Sequence, residues 1–271
     1  MDFQPQLIVE LAVLGLCSGF LAGLLGIGGG MPMVPFLTAI LANRGVPADL
    51  AVKMAIATSM ATILFTSISS VRAHHKREAV RWDLVKGLAP GILLGGMLGS
   101  LGVFALLKGA YLAIIFGLFV SFSATQMFMN RKPAPTRQMP GLGGQFCAGS
   151  GIGFISGLVG AGGGFISIPF MTWCNVAIHN AVATSAALGF PIAFANVTGY
   201  VLSGWSVHGL PAGAFGYVWL PALAITASCS VLTAPWGAKA AHSLPVKKLQ
   251  QIFASLLYVL AAYMLYKGMI A

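Results

Sequence analysis

The chain has 271 residues, of which 58% are hydrophobic and 7% charged. Soluble domains carry about 25% charged residues, so a water-facing globule is excluded and an all-α polytopic membrane protein is indicated. The net charge of +10 does not call for nucleic acid, because Lys and Arg collect in the cytoplasmic loops of membrane proteins.

Apolar segments fall at about 7–42, 50–71, 83–107, 110–129, 142–173, 180–203, 214–236 and 249–268. Residues 1–6 hold Asp2 and no Lys or Arg, so they are not expected to be a cleavable signal. Runs of roughly 20 apolar residues suffice to cross a core of about 30 Å. The first and fifth segments are too long for one crossing, since 36 helical residues would reach about 54 Å. Each is broken by a glycine triple, Gly28-Gly29-Gly30 or Gly162-Gly163-Gly164. Each is therefore two helices with a short second one, or a span plus a re-entrant half-helix, which allows up to ten helices.

The breaks are copies of one another. From Gly19 to Thr38 against Gly153 to Thr172, 11 of 20 positions are identical. A second match, at a different offset, relates Ala55-Ile56-Ala57-Thr58-Ser59 to Ala181-Val182-Ala183-Thr184-Ser185. The expected organisation is a first membrane repeat at 1–130, a cytoplasmic linker at 131–141 with Pro133, Pro135 and Pro140, and a second repeat at 142–271. Charge sets the orientation. Placing Arg72, Lys76, Arg77, Arg81, Lys86, Arg131, Lys132, Arg137, Lys239, Lys247 and Lys248 in the cytoplasm puts 11 of 15 basic residues inside. Arg44, Lys53, Lys108 and Lys267 are left outside or interfacial. This requires 142–173 to leave and re-enter one side, and 7–42 to do the same on the other. The repeats are then inverted, with both termini external.

Glycine clusters interrupting apolar segments at matching places in two halves point to a transporter's binding site. A helix restarting after either triple offers unpaired N–H donors and a partial positive charge, which suits an anion. Gly28, Gly29, Gly30, Gly162, Gly163 and Gly164 are therefore candidate substrate contacts. Other glycines at four-residue spacing (Gly15, Gly19, Gly23; Gly91, Gly95, Gly99; Gly149, Gly153, Gly157) read as helix-packing stripes. Thr58, Ser59, Thr184 and Ser185 are matched hydroxyls that either bind substrate oxygens or bond their own helix. Asn196 sits mid-segment and needs a polar partner, from substrate or from a neighbouring helix. His74 and His75 read as part of a basic loop. The five acids, Asp2, Glu10, Asp49, Glu78 and Asp83, all lie away from the segment centres. That favours an anionic substrate over a cation. No metal site or disulfide frame is read from Cys17, Cys147, Cys174 and Cys229, and no cofactor is expected. Neither triple is followed by a GKS or GKT, and HExxH and GxSxG are absent, which argues against a nucleotide loop and an intramembrane enzyme.

The stretches GFLAGLLGIGGGMPMVPFL, GFISGLVGAGGGFISIPF and ATSMATILFTSISSVRAHHKREAVRWDLVKGLAPGILLGG resemble the sulfite exporter TauE/SafE family, also called the 4-toluene sulfonate uptake permease family, over essentially the whole chain. The resemblance implies a bacterial inner-membrane permease for sulfite, thiosulfate-like or organosulfonate anions, often an exporter. Members are customarily drawn with seven or eight spans, against the inverted, broken-segment arrangement read here. The expectation is a secondary carrier for a small sulfur-containing anion, working by alternating access between inverted halves, with lipid and substrate as partners, no nucleic acid, and room for a homodimer. An anion channel of the same architecture is the rival; an intramembrane enzyme or a structural membrane protein follows further behind.

Overall fold

The structure is a computed structural model that describes residues 5–26, 28–129, 137–240 and 246–270, with side chains of the last segment described from Gln250. Asp2, most of the 131–141 linker and the side chains of Lys247 and Lys248 lie outside the described residues. Ten helices account for nearly all of the described residues. They are α1 (Pro5–Leu25), α2 (Gly30–Asn43), α3 (Ala48–His75), α4 (Trp82–Leu106), α5 (Gly109–Met129), α6 (Leu142–Val159), α7 (Gly164–Trp173), α8 (Ile178–Gly204), α9 (Leu220–Ala240) and α10 (Val246–Ile270).

Eight of them are long and apolar enough to cross a membrane; α2 and α7 are not. At 1.5 Å per residue those two reach only about 21 and 15 Å, half-helices rather than crossings. Ser59 of α3 touches Gly30 at the start of α2, and the turn 44–47 joins the end of α2 to the start of α3. The half-helix α2 thus runs antiparallel to α3, back along the direction from which α1 came. Ser167 of α7 against Ser185 of α8 shows the same return in the second half.

Packing partners reveal the inversion. Along α1, Gly15, Gly19 and Gly23 meet Thr226, Ser230 and Ala234 of α9 in rising order, so these two helices are parallel. Their counterparts do likewise: Gly149 and Gly153 of α6 meet Leu88 and Ile92 of α4. Each repeat therefore packs its first helix on the fourth helix of the other. Counterpart helices run antiparallel, as in-plane inversion requires: Gly117 of α5 meets Leu265 of α10, while Gly268 meets Ile114. The same holds for α3 and α8, where Gly189 approaches Ser67 while Asn180 reaches Ala79. All three glycine stripes lie at these contacts, where a Cβ would strike backbone of the facing helix, except at Gly157, which faces the Asn196 side chain of α8. Small residues let membrane helices close to that distance.

Two features depart from the periodicity reading. The segment taken as 214–236 begins with a two-stranded hairpin, Ala214–Phe215 paired antiparallel with Val218–Trp219, and becomes helical only at Leu220. Its apolar residues match a helix in composition, but Gly213 (φ 82°) and Gly216 (φ 54°) adopt left-handed turns that a helix cannot contain. Within α4, residues Leu98–Val103 are wound as π-helix.

Candidate functional site

The glycine breaks come together at the centre of the molecule. A Cβ on Gly28 would stand 3.0 Å from the Cα of Gly162, and one on Gly30 would stand 2.5 Å from the Gly160 carbonyl. Both half-helices are capped by a left-handed glycine, Gly29 at φ 70° and Gly163 at φ 72°. Gly26, Gly28 and Gly160 also have positive φ, so five residues of the two loops occupy a region that side chains resist. The N–H groups of Gly162, Gly163 and Gly164 have no hydrogen-bond acceptor among the described residues.

The matched hydroxyls divide into two roles. Ser59 Oγ donates to the Gly30 carbonyl at 3.1 Å and to the Gly160 carbonyl at 3.4 Å. Ser185 Oγ donates to the Gly26 carbonyl at 3.0 Å and accepts from Ser167 Oγ at 2.9 Å. Gly26 and Gly160 are counterparts, so each serine ties its own helix to the other repeat's break. Thr58 and Thr184 point elsewhere. Thr58 Oγ1 accepts from the Trp219 N–H at 2.9 Å, and Thr184 Oγ1 accepts from the Arg81 N–H at 3.0 Å. Each threonine anchors the loop that leads into the fourth helix of a repeat.

Between the breaks and the basic end of α3 lies a small cleft, lined by Gly28, Thr66, Ser67, Ser70, Ser185 and Gly189 among others. Thr66 and Ser67 donate to carbonyls of their own helix, Thr62 and Leu64. Ser70 Oγ is buried and has no hydrogen-bond partner among the described residues. A buried hydroxyl without a partner loses roughly 1–3 kcal/mol relative to one that is satisfied. Beyond Ser70 the helix ends in Arg72, His74 and His75, with Lys76 and Arg77 following. Arg77 donates to the Ala238 carbonyl, and Arg81 forms an exposed ion pair with Asp83 at 2.7 Å. That hydrogen bond raises the Arg81 guanidinium above its ordinary range.

Of the residues expected at the site, Gly28 and Ser185 line the cleft. Gly30, Gly162 and Ser59 form the seam where the two breaks meet. Gly29 and Gly163 present their Cβ directions to protein: Gly29 to the Ser18 carbonyl and hydroxyl, Gly163 to Ile192, Ile152 and Ser156. Gly164 opens α7. Asn196 lies one helix away, fully buried, donating to the Ile192 carbonyl at 2.8 Å, with its Oδ1 unpartnered among the described residues. Thr66, Ser67 and Ser70 were missed by sequence reasoning. Their signal was present, because positions 7, 8 and 11 after Ser59 fall on its helical face.

Ten helices around two facing, centrally broken segments, related by inversion, define a polytopic α-helical membrane transporter. Comparison with known proteins narrows the class. The sequence profile of the sulfite exporter TauE/SafE family matches residues 11–264, and the chain belongs to that family. A probable membrane transporter protein of Haemophilus influenzae is 35% identical over 94% of this chain and 97% of its own length. Probable membrane transporter proteins of Methanocaldococcus jannaschii (28% identity; 98% of each chain) and Bacillus subtilis (YunE; 26% identity; 96% of this chain, 98% of its own) are similar over comparable extents. No solved structure matches the chain.

Proposed function

We propose that this transporter moves a small sulfur oxyanion, sulfite or an organosulfonate, by alternating access across the bacterial inner membrane, in the export direction. The observation that carries the reading is the cleft shared by the glycine break at Gly28, the Ser185 hydroxyl and the Ser70 hydroxyl, the last without a partner among the described residues. Hydroxyls and backbone N–H groups are the donors that replace water around an oxyanion without adding a fixed countercharge. None of the lining residues is a carboxylate, which suits an anion. The family's name, sulfite exporter, supports the substrate class and direction. In this reading the repeats are 1–130 and 142–271, the 131–141 linker lies in the cytoplasm, and the cleft opens toward that side, where cytoplasmic substrate would enter.

The test is flux of labelled sulfite in proteoliposomes. Wild type should saturate, as a carrier does and a wide channel does not. Ser70→Val fills part of the cleft and removes the free hydroxyl, and should lower flux at least tenfold while thermal stability holds or rises. Wild-type flux from Ser70→Val would remove the cleft from the pathway. Absence of sulfite or sulfonate flux in wild type, with transport of some cation instead, would overturn the substrate class.

A further inference from the structure

On the other side of the glycine breaks from the cleft, α3 carries a charge inside the protein. Lys53 is 6% exposed. It lies six residues before Ser59 and seventeen before Ser70, about 9 and 25 Å along the helix axis. Its Nζ donates to the Ala105 carbonyl at 3.3 Å, in the last turn of α4, and stands 5.9 Å from the Phe104 ring centroid and 5.5 Å from that of Tyr217. The Phe104 and Tyr217 rings themselves meet edge to face at 5.7 Å. Among the described residues Lys53 makes no ion pair. Asp49, one turn earlier, accepts the N–H of Gly109 with one carboxylate oxygen, and its charge also attracts the ammonium without reaching ion-pair distance.

This arrangement leaves the ammonium underserved. It has three donors and one carbonyl acceptor. Cation–π contact contributes about 0.5–2 kcal/mol, whereas withdrawing an ion from water costs several. An ionisable residue within a membrane span marks a functional site by default. Two neighbouring features are of the kind found where structure must move or bind. The π-helical turns of α4 end at Val103, directly before Phe104. The hairpin bearing Tyr217 also carries the buried indole N–H of Trp219, which has no acceptor among the described residues.

We propose that Lys53, with Phe104 and Tyr217 against it, is a second anion-binding site on the opposite side of the breaks, which takes a small oxyanion through the ammonium. The proposal rests on the oxyanion-carrier reading and adds to it a charged station at the other end of the path. The two N–H groups not bonded to Ala105 can bridge two oxygens of one sulfite or sulfonate group. The ammonium itself repels a metal cation, so the site discriminates by charge. Tyr217, whose phenol is pushed up by burial and by the charge of Asp49, stays neutral and adds no repulsion.

The experiment compares sulfite binding to purified wild type, Lys53→Met and Lys53→Gln, by calorimetry and by ligand-induced thermal shift, with choline as the cationic control. Lys53→Met matches the stem length without the charge; Lys53→Gln also keeps a donor for the Ala105 carbonyl. Both should unfold within a few degrees of wild type and lose one of two calorimetric sulfite-binding events, the event that Ser70→Val leaves in place, with no change toward choline. Two wild-type binding events in either folded variant overturn the site while leaving the carrier reading intact. A wild type that binds no oxyanion removes both. Should Lys53→Met lose its fold, Lys53→Gln decides; collapse of both makes Lys53 a structural tie between α3 and α4 and overturns the proposal.

Discussion

Gly151 and Gly153 stand two residues apart on α6, yet substitution by alanine should move stability in opposite directions. A Cβ at Gly151 meets nothing within 4 Å, whereas one at Gly153 meets the Ile92 carbonyl oxygen, the Ile92 carbonyl carbon at 3.0 Å and the Gly96 nitrogen at 2.8 Å. All of these are backbone atoms of α4, so no side-chain rotation relieves the clash and the helices must separate. Overpacking of this kind costs about 1–3 kcal/mol, set against a helix-propensity gain of about 0.8–1 kcal/mol common to both changes. Gly151→Ala should therefore be neutral or slightly stabilising, and Gly153→Ala should lie about 1–3 kcal/mol below it. At roughly 2–4 °C per kcal/mol for a chain of this size class, the two unfolding midpoints in mild detergent should differ by several degrees. Gly19 is the duplicate of Gly153 and faces Ser230 of α9 in the same way, so Gly19→Ala should reproduce the loss. Equal midpoints for Gly151→Ala and Gly153→Ala would refute the close α4–α6 contact, and with it the exchange of first and fourth helices on which the inverted architecture rests.

Two further outcomes are expected alongside the Ser70 and Lys53 experiments. Ser185→Ala removes the bond to the Gly26 carbonyl and strands Ser167 Oγ, which should lower stability by about 1–3 kcal/mol; an unchanged unfolding midpoint in detergent would show that the cross-repeat tie contributes nothing. In a background lacking the native cysteines, Arg77→Cys, Met139→Cys and Lys239→Cys should be labelled by an impermeant thiol reagent from one face of the membrane, and Ser206→Cys from the other; labelling of Lys239→Cys together with Ser206→Cys would reject the inversion.

Much of the frame was legible because hydropathy and glycine act locally. A run such as Gly109–Met129 can only satisfy its backbone in lipid as a helix, and a glycine triple can only weaken one. Both breaks therefore fall where the sequence puts them. The hairpin at 214–219 escaped because its residues are as apolar as the helix they precede, and only the left-handed Gly213 and Gly216 separate the two. At the site, duplication singled out Thr58-Ser59 and Thr184-Ser185 as pairs. It could not say that adjacent residues face a loop anchor and a glycine seam, because that depends on which helix lies on each side. Thr66, Ser67 and Ser70 have no matched hydroxyl in the second repeat, so duplication did not single them out; two of them bond their own helix, and Ser70 stands out only once the cleft is seen. Lys53 counted as interfacial by charge alone, since its burial is created by the end of α4 and by Tyr217, neither of which is near it in sequence.

The second duplication offset, 126 residues, brings the asymmetry of the two ends into focus. It pairs Thr66, Ser67, Ser70 and His74 of α3 with Ile192, Ala193, Asn196 and Tyr200 of α8. At the first end these positions leave a hydroxyl-lined cleft. At the other, Tyr200 is fully buried, its ring 4.5 Å from Phe104 and its hydroxyl bonded to the Gly157 carbonyl. In an inverted pair, exchanging the conformations of the two halves exchanges which end is open. Opening the second end would then require Tyr200 to leave Phe104, which also neighbours the Lys53 ammonium and the Tyr217 ring. An anion arriving at Lys53 supplies an interaction that the closed packing lacks, and a ligand shifts a two-state equilibrium only by binding one state better than the other. On the carrier reading, the two ends are therefore not equivalent doors. In that reading the serine end would take up a cytoplasmic oxyanion on neutral donors that release it onward without breaking an ion pair, while the lysine end would couple anion occupancy to release of an aromatic plug.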